Sequence, residues 1–551
     1  MPYILLATSV LIFLQVAFAA PLTSNLGPVV DLGYAAFAGN STSPAGTTNG
    51  PVTFFGNIPY AQPPLGNLRF RAPQPLNENG KAQTVTDARN WGPACIQRPA
   101  VVGIGSEDCL TLNVWKPTNA TEGAKLPVIV YIHGGGFYAE TPQGFPLYDW
   151  VAQHPGGIIG ASITYRLGVL GFLGGPQVAA DGALNAGLLD QRAGLEWIQR
   201  HISKFGGDPN EVTIVGESAG GASIIMQVVA YGGSKPAPFK RAVAQSIGFG
   251  PTRNESEVEL DFNMAASLIG CPASDKTTMS CLRQASVGAI VSAINRIPNE
   301  ISPVVEGSNG FLPDLPSRLI TSGKFSIVDF LGGHCTGDGN TFAGGTPEQF
   351  KTEDDIRNIV FSRWPGVKSG DTITQALALY PAPGTPGSTF STQYERATAI
   401  AGDIIFTCMD WFFAEKSLER GVKNVFAFSW NAPDTVLYNA NPYLGAMHTS
   451  DLYYLFDGTK AFNTSEAALS KEAIAYWTSF VANGDPSVDK EAISPIWSKF
   501  ATGTGSDTRS RLRLTRGGDS KTASVMEGIT SAQMERCKFW MSDAVVAQTR
   551  V

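Results

Sequence analysis

Three short stretches of this chain hold residues able to do covalent chemistry. The first is Gly216-Glu217-Ser218-Ala219-Gly220, a Gly-x-Ser-x-Gly pattern. It follows a short β-branched run at 212–215 and leads into a stretch of helical character at 220–229. A serine at a tight strand-to-helix turn has its hydroxyl pushed into a cleft, where it can attack a carbonyl carbon. Such a turn strains the backbone and crowds the positions two before and two after the serine, so glycine suits 216 and 220. The following helix aims the positive end of its dipole at negative charge developing nearby. In a chain with 60 glycines the pattern alone is weak. Its strand–turn–helix setting makes Ser218 the candidate nucleophile.

The second stretch is His133-Gly134-Gly135-Gly136-Phe137. Attack on an ester carbonyl puts negative charge on oxygen, and that oxyanion needs N–H donors already in place. Loss of one donor typically costs about 3–4 kcal/mol of transition-state stabilisation. Glycines let backbone approach a substrate closely, and the expected donors are the N–H groups of Gly135, Gly136 and Ala219.

The third stretch supplies a base. Serine is a poor nucleophile until its proton is taken. The chain has five histidines: His133, His154, His201, His334 and His448. With this kind of serine turn the partners follow in the order serine, acid, histidine, which leaves His334 and His448. His448, in Gly445-Ala446-Met447-His448-Thr449-Ser450-Asp451, leaves room for an acid on an intervening strand-end loop and is favoured. Asp338, in Gly333-His334-Cys335-Thr336-Gly337-Asp338-Gly339, follows a predicted strand at 325–331 and is the expected acid. Its carboxylate would fix the imidazole tautomer and stabilise the imidazolium. Asp329 is the rival, placed by this reading inside the strand.

These loops need a scaffold. Apolar, β-branched runs at 127–132, 158–165, 212–215, 325–331 and 424–430 alternate with helical stretches such as 190–205, where Leu195, Ile198 and Ile202 share a face. That alternation predicts an α/β protein with a large, mostly parallel central sheet flanked by helices. In such sheets ligands bind beyond the carboxyl ends of the strands, and each stretch above follows a predicted strand end. The 551 residues show no internal repeat or linker, so one large domain over 20–551 is expected.

Residues 3–16 are mostly apolar and end in Ala17-Phe18-Ala19, which reads as a leader peptide over 1–19. The run is short against the ~20 residues that span a bilayer, and no later membrane segment is expected. A net charge of −7 argues against nucleic acid as partner. Seven cysteines fit an oxidising compartment. They have no zinc-ligand spacing, so no metal site is expected, and their odd number leaves one thiol over. Asn40, Asn119, Asn254 and Asn463 each head a glycosylation sequon. Together these features predict a secreted glycoprotein.

Further blocks carry a resemblance. Gly56-Asn57-Ile58-Pro59-Tyr60-Ala61 with Leu68-Arg69-Phe70, Glu107-Asp108-Cys109-Leu110-Thr111-Leu112-Asn113-Val114, Phe205-Gly206-Gly207-Asp208-Pro209, the serine motif, and His448 with Asp451-Leu452-Tyr453-Tyr454-Leu455-Phe456 resemble the type-B carboxylesterase/lipase family over nearly the whole mature chain. That family includes cholinesterases and yeast-type lipases. The resemblance implies the α/β-hydrolase fold, ester hydrolysis without a cofactor, and Ser218, Asp338 and His448 as triad, with Gly135, Gly136 and Ala219 as oxyanion donors. It departs at one place, because the family usually has Glu where Asp338 stands. It also implies the disulfides Cys95–Cys109, Cys271–Cys281 and Cys408–Cys537, with Cys335 free.

The first of these pairs bears on substrate. Only residues 96–108 lie between Cys95 and Cys109, and none is aromatic. In the family's lipases the corresponding loop is a long amphipathic lid, and in its cholinesterases it carries a tryptophan for the choline cation. The short loop predicts hydrolysis of small to medium soluble esters. The alternatives are a lipase acting on longer acyl glycerides and a catalytically inactive cholinesterase-like binding module. Phe137, Tyr138 and residues near Phe249 are candidate pocket liners.

Overall fold

The computed structural model describes residues 22–41, 52–273, 275–298, 301–364, 366–367, 370–456, 462–501 and 509–551. The leader peptide expected at 1–19 lies outside the described residues.

Ten strands form the central sheet: β1 (Val52–Pro59), β2 (Thr111–Pro117), β3 (Leu126–Ile132), β4 (Ile159–Ile163), β5 (Gly207–Glu217), β6 (Arg241–Gln245), β7 (Asp329–Cys335), β8 (Val425–Trp430), β9 (Ser510–Leu514) and β10 (Val525–Gly528). Their spatial order is β10-β9-β8-β7-β6-β5-β3-β4-β2-β1. The seven strands from β9 to β4 are mutually parallel, and β10, β2 and β1 pair antiparallel at the two sides. A small second sheet joins Val29–Asp31, Ala36–Ala38 and Val85–Asp87. The α/β expectation holds.

The strands are apolar on both faces because both faces are covered. Along β3, Val128, Val130 and Ile132 belong to one buried cluster, and Ile129 and Tyr131 to a second. The helix Ala186–His201 realises the predicted face, with Leu195 and Ile198 fully buried and Ile202 buried in the 3-10 turn that follows. Gly206 ends that turn in the left-handed conformation at φ 96°. Strand β5 then begins at once at Gly207, five residues before the predicted start at 212.

Strand β7 is displaced as a whole. It runs Asp329–Cys335, whereas the sequence predicts a strand over 325–331. Gly332 and Gly333 lie inside the strand, at positions where side chains would not fit. A Cβ on Gly332 would sit 2.3 Å from the Phe330 ring, and one on Gly333 2.4 Å from Phe428. Glycine in a strand interior marks such close approach. The correct boundary puts His334 inside the strand and brings Asp338 just beyond its end.

The three expected disulfides are present: Cys95–Cys109, Cys271–Cys281 and Cys408–Cys537. The last spans 129 positions and ties the helix Ser531–Trp540 to the helix Cys408–Glu419. In the chain-entropy view so long a loop contributes up to about 5 kcal/mol. Cys335 is left unpaired and buried.

One feature differs from the expectation of no later membrane-length segment. The helices Gln393–Gly402 and Cys408–Glu419 run on through a π-helical turn, Asp403–Thr407, as one rod of 27 residues with the length and hydropathy of a span. Its apolar window is 89% buried inside the protein, which makes it a core helix.

Candidate active site

Ser218 sits between β5 and the helix Ala219–Val229, at φ 59° and ψ −124°. That conformation is costly for a residue with a Cβ and persists because its surroundings hold it. The Ser218 N–H donates to the Gln245 carbonyl, and the Ser218 carbonyl accepts from the Ala222 and Gly248 N–H groups. The flanking glycines are required by contact. A Cβ on Gly216 would fall 2.6 Å from the Gly220 backbone, and one on Gly220 2.2 Å from the Ile132 carbonyl oxygen.

Asp338 and His448 arrive from loops that are stitched together. Gly337 bridges Met447, and the Gly337 N–H donates to the Ala446 carbonyl at 2.9 Å. The three side chains then form an unbroken line. His448 Nε2 is 2.7 Å from Ser218 Oγ, and His448 Nδ1 is 2.7 Å from Asp338 Oδ1. The far carboxylate oxygen of Asp338 accepts from Ser246 Oγ at 2.9 Å and from the Cys335 N–H at 3.0 Å. Asp338 and His448 are both buried.

The rivals fall elsewhere. His334 lies within β7 and pairs with buried Asp410, Nδ1 to Oδ2 at 3.0 Å. Asp329 opens β7 at the end away from the site, roughly 20 Å along the strand.

The loop after β3 runs alongside Ser218. Gly135 and Gly136 both have positive φ, 84° and 61°. The Gly135 carbonyl accepts the N–H groups of Tyr138 and Ala139, which closes a tight turn. Among the described residues the N–H groups of Gly135, Gly136 and Ala219 donate to no protein acceptor. A Cβ on Gly134 would stand 3.2 Å from Ser218 Cβ, so this loop abuts the serine.

The site is unusually rich in buried acids. Glu217 Oε1 lies 3.3 Å from His448 Nε2 yet forms no hydrogen bond. Burial drives its carboxyl well above the ordinary range, with Asp451, Asp338 and Glu140 adding to the rise. Asp451 is fully buried and accepts from Gln245 Nε2, whose own oxygen accepts from Trp477 Nε1. Its carboxyl is pushed up to about 6 by burial, opposed chiefly by the Gln245 bond.

Asp451 therefore gives a pH-dependent term in stability. Its folded pKa of about 6 exceeds the unfolded 3.8, so the folded state holds this proton more tightly. Stability falls as pH rises through that window and is level above it. Asp451→Asn removes the slope. The variant is expected to gain on wild type between about pH 4 and 6, by at most about 3 kcal/mol. Urea unfolding midpoints at several pH values read this directly, and a variant–wild-type difference that does not change with pH would contradict it.

Two aromatic rings that the sequence reading did not single out pack on His448. Phe406 lies 4.5 Å from the imidazole, centroid to centroid, and Phe342 meets it edge-on at 5.1 Å. Phe406 belongs to the π-helical turn, a device common at functional sites. Of the predicted liners, Phe137 packs against Phe172 in the core, and Phe249 is buried there too.

Comparison with known proteins identifies the family. The sequence model of the carboxylesterase family matches residues 27–540. The chain belongs to that family. It is a carboxylic ester hydrolase with the α/β-hydrolase fold. The chain is similar to Lipase 2 of Geotrichum candidum, at 30% identity over 83% of this chain and 88% of that protein. It is also similar to Carboxylesterase patB of Aspergillus clavatus, at 29% identity over 97% and 99%. The crystal structure of Aspergillus niger EstA superposes with a TM-score of 0.82, at 30% identity, covering 96% of this chain and all of that one.

In this family member the Cys95–Cys109 loop is short and free of aromatic residues. It exposes three aliphatic side chains, Val101, Val102 and Ile104. Its base is anchored beside the loop that follows β3, through the Arg98 N–H to the Tyr138 carbonyl and the Glu140 N–H to Gln97 Oε1.

Proposed function

We propose that Ser218 is the nucleophile, His448 the general base and acid, and Asp338 the orienting carboxylate of ester hydrolysis through an acyl-enzyme. The observation that carries this reading is the continuous line of two 2.7 Å hydrogen bonds from Ser218 Oγ through His448 to Asp338. Ser218 Oγ bonds to the ester carbonyl carbon as its proton passes to His448 Nε2. Asp338 stays ionised and stabilises the imidazolium. The N–H groups of Gly135, Gly136 and Ala219 receive the oxyanion. Collapse of the tetrahedral intermediate expels the alcohol, which takes the proton from His448. Water repeats the sequence on the acyl-enzyme, releasing the carboxylic acid and restoring Ser218. The chain's own groups supply nucleophile, proton transfer and charge stabilisation, so the reaction calls for no cofactor or metal.

The preferred substrates in this proposal are small to medium soluble esters, on the strength of the short, aromatic-free 96–108 loop. Hydrolysis of p-nitrophenyl esters of graded length is expected to peak at short acyl chains. A second reading, a lipase, has one observation of its own: the exposed Val101, Val102 and Ile104, in a loop whose base is tied to the Tyr138 carbonyl. Faster hydrolysis of emulsified long-chain triglyceride than of soluble short esters would replace the first reading with the second. Fluorophosphonate labelling of Ser218 separates both from an inactive binding module, which would stay unlabelled.

The proposal extends to the cell. A leader over 1–19, one domain over 20–551 and the three disulfides describe a secreted enzyme, and relatives such as Secreted lipase 1 of Botryotinia fuckeliana carry that property in their names. Asn119, Asn254 and Asn463 are exposed and Asn40 half-buried, and all four are candidate glycan sites.

A further inference from the structure

The oxyanion loop, residues 133–137, follows β3, and β3 lies between β4 on one side and β5 on the other. Ser218 stands one residue past the end of β5. Tyr165 stands two residues past the end of β4. The loop is thus flanked by a serine on one side and a buried phenol on the other.

The phenol grips the loop by its carbonyls. Tyr165 Oη donates to the His133 carbonyl at 2.8 Å and lies 3.4 Å from the Gly134 carbonyl. The Tyr165 ring also stacks on the His133 imidazole, centroids 4.4 Å apart. His133 is fully buried and its Nε2 has no partner. The tautomer with its proton on Nδ1 is the one that makes a bond, to the same Gly134 carbonyl at 3.2 Å. Burial pushes the His133 pKa down to about 3, so the ring stays neutral and stacks without charge. Burial, with Glu140 nearby, raises the Tyr165 phenol, which therefore remains a donor.

A trans peptide points its C=O and N–H in opposite directions, and the only cis bond among the described residues is Arg98–Pro99. A Gly134 carbonyl drawn toward β4 therefore turns the Gly135 N–H toward β5, where Ser218 stands. The Gly136 N–H needs no such help, because the Gly135 carbonyl is already held by Tyr138 and Ala139 in the turn.

Tyr165 is itself rigidly mounted. Before it, the Thr164 carbonyl accepts from Tyr60 Oη and the Thr164 N–H donates to the Thr111 carbonyl. After it, Arg166 forms a buried two-pronged pair with Asp190, which also accepts the Arg166 N–H.

We propose that Tyr165 is a positioning residue of the oxyanion loop: its hydroxyl holds the His133 carbonyl toward β4 and so fixes His133, whose Nδ1–H holds the Gly134 carbonyl on the same side and aims the Gly135 N–H at the oxyanion formed over Ser218. This rests on the oxyanion role assigned to Gly135 above, and the test separates the two. An ester and its thionoester are compared in each preparation. The thionoester places the developing charge on sulfur, a weak hydrogen-bond acceptor, so it gains little from aimed N–H groups.

Tyr165→Phe is expected to lower kcat/KM for the ester by about 10- to 100-fold, a fraction of the 10²–10³ lost with a whole donor, and for the thionoester by less than about threefold. The fall should lie in kcat, with KM nearly unchanged. Because the ratio of the two substrates is taken within one preparation, a partly misfolded variant still reports on it. Equal losses on both substrates, or loss on neither, would overturn the proposal for Tyr165. A wild-type enzyme that does not distinguish ester from thionoester would instead remove the oxyanion reading beneath it.

Discussion

Ser218→Ala is expected to lower kcat for a p-nitrophenyl ester by about 10⁵-fold or more, with KM nearly unchanged. The alanine cannot form the acyl-enzyme, and what remains is whatever binding and the N–H donors do for direct attack by water. The fold should survive, because the methyl group fits where the Cβ of serine already sits in its strained turn at φ 59°. His448→Ala is expected to cost a similar factor, since the serine hydroxyl then has no base at 2.7 Å. The double variant should be little worse than either single one, because groups acting as a unit are not additive. Rates near wild type for Ser218→Ala, or losses that multiply in the double variant, would show that the two side chains do not work together on one proton.

The sequence carries these residues plainly because each sits in a local pattern dictated by backbone geometry. A serine on a strand-to-helix turn needs glycine at 216 and 220, since neither position has room for a Cβ. That need is written in five consecutive letters. The acid and the base are harder to read. Asp338 is picked out although β7 is predicted four residues early, because only Thr336 and Gly337 separate the true strand end from it. Gly332 and Gly333, inside the strand but past its predicted end, answer to packing from Phe330 and Phe428. No local rule reports such a contact.

The supporting shell was not legible at all, for the same reason carried further. Ser246 reaches Asp338 across 92 positions, and Gln245 reaches Asp451 across 206. Phe406 meets His448 only because a π-helical turn sits in an otherwise regular 27-residue helix. Tyr165 looks in sequence like one more aromatic at a strand end. Its meaning depends on β4 and β5 lying on opposite sides of β3, which is a property of sheet order and not of any window of residues. Chemistry that requires strained local backbone is thus readable, whereas chemistry supported by long-range neighbours becomes visible only once the sheet is assembled.

Asp338→Asn gives the second large effect, and the shell decides its size. The carboxylate has one oxygen on His448 Nδ1 and the other on two donors, Ser246 Oγ and the Cys335 N–H. Asparagine has one oxygen and one NH₂ to share between these sides. If its oxygen faces His448, its NH₂ confronts the Cys335 N–H. The serine hydroxyl can turn round and accept, but a backbone N–H cannot. If the side chain flips, the oxygen satisfies Ser246 and Cys335 and the NH₂ faces the imidazole. Nδ1 must then accept, the ring proton moves to Nε2, and Nε2 can no longer take the proton of Ser218. In the first arrangement the buried Cys335 N–H keeps only the long contact to Ser246 Oγ at 3.4 Å, and a poorly satisfied buried donor costs up to about 1–3 kcal/mol, which favours the flip. The expected loss in kcat is therefore about 10⁴-fold, the scale of a wrong-tautomer defect, with little change in KM or in unfolding midpoint. A variant within tenfold of wild type would mean that the imidazole is oriented by something other than Asp338. Buried Glu217, 3.3 Å from Nε2, could not replace it, because it faces the ring nitrogen that must stay free for the serine.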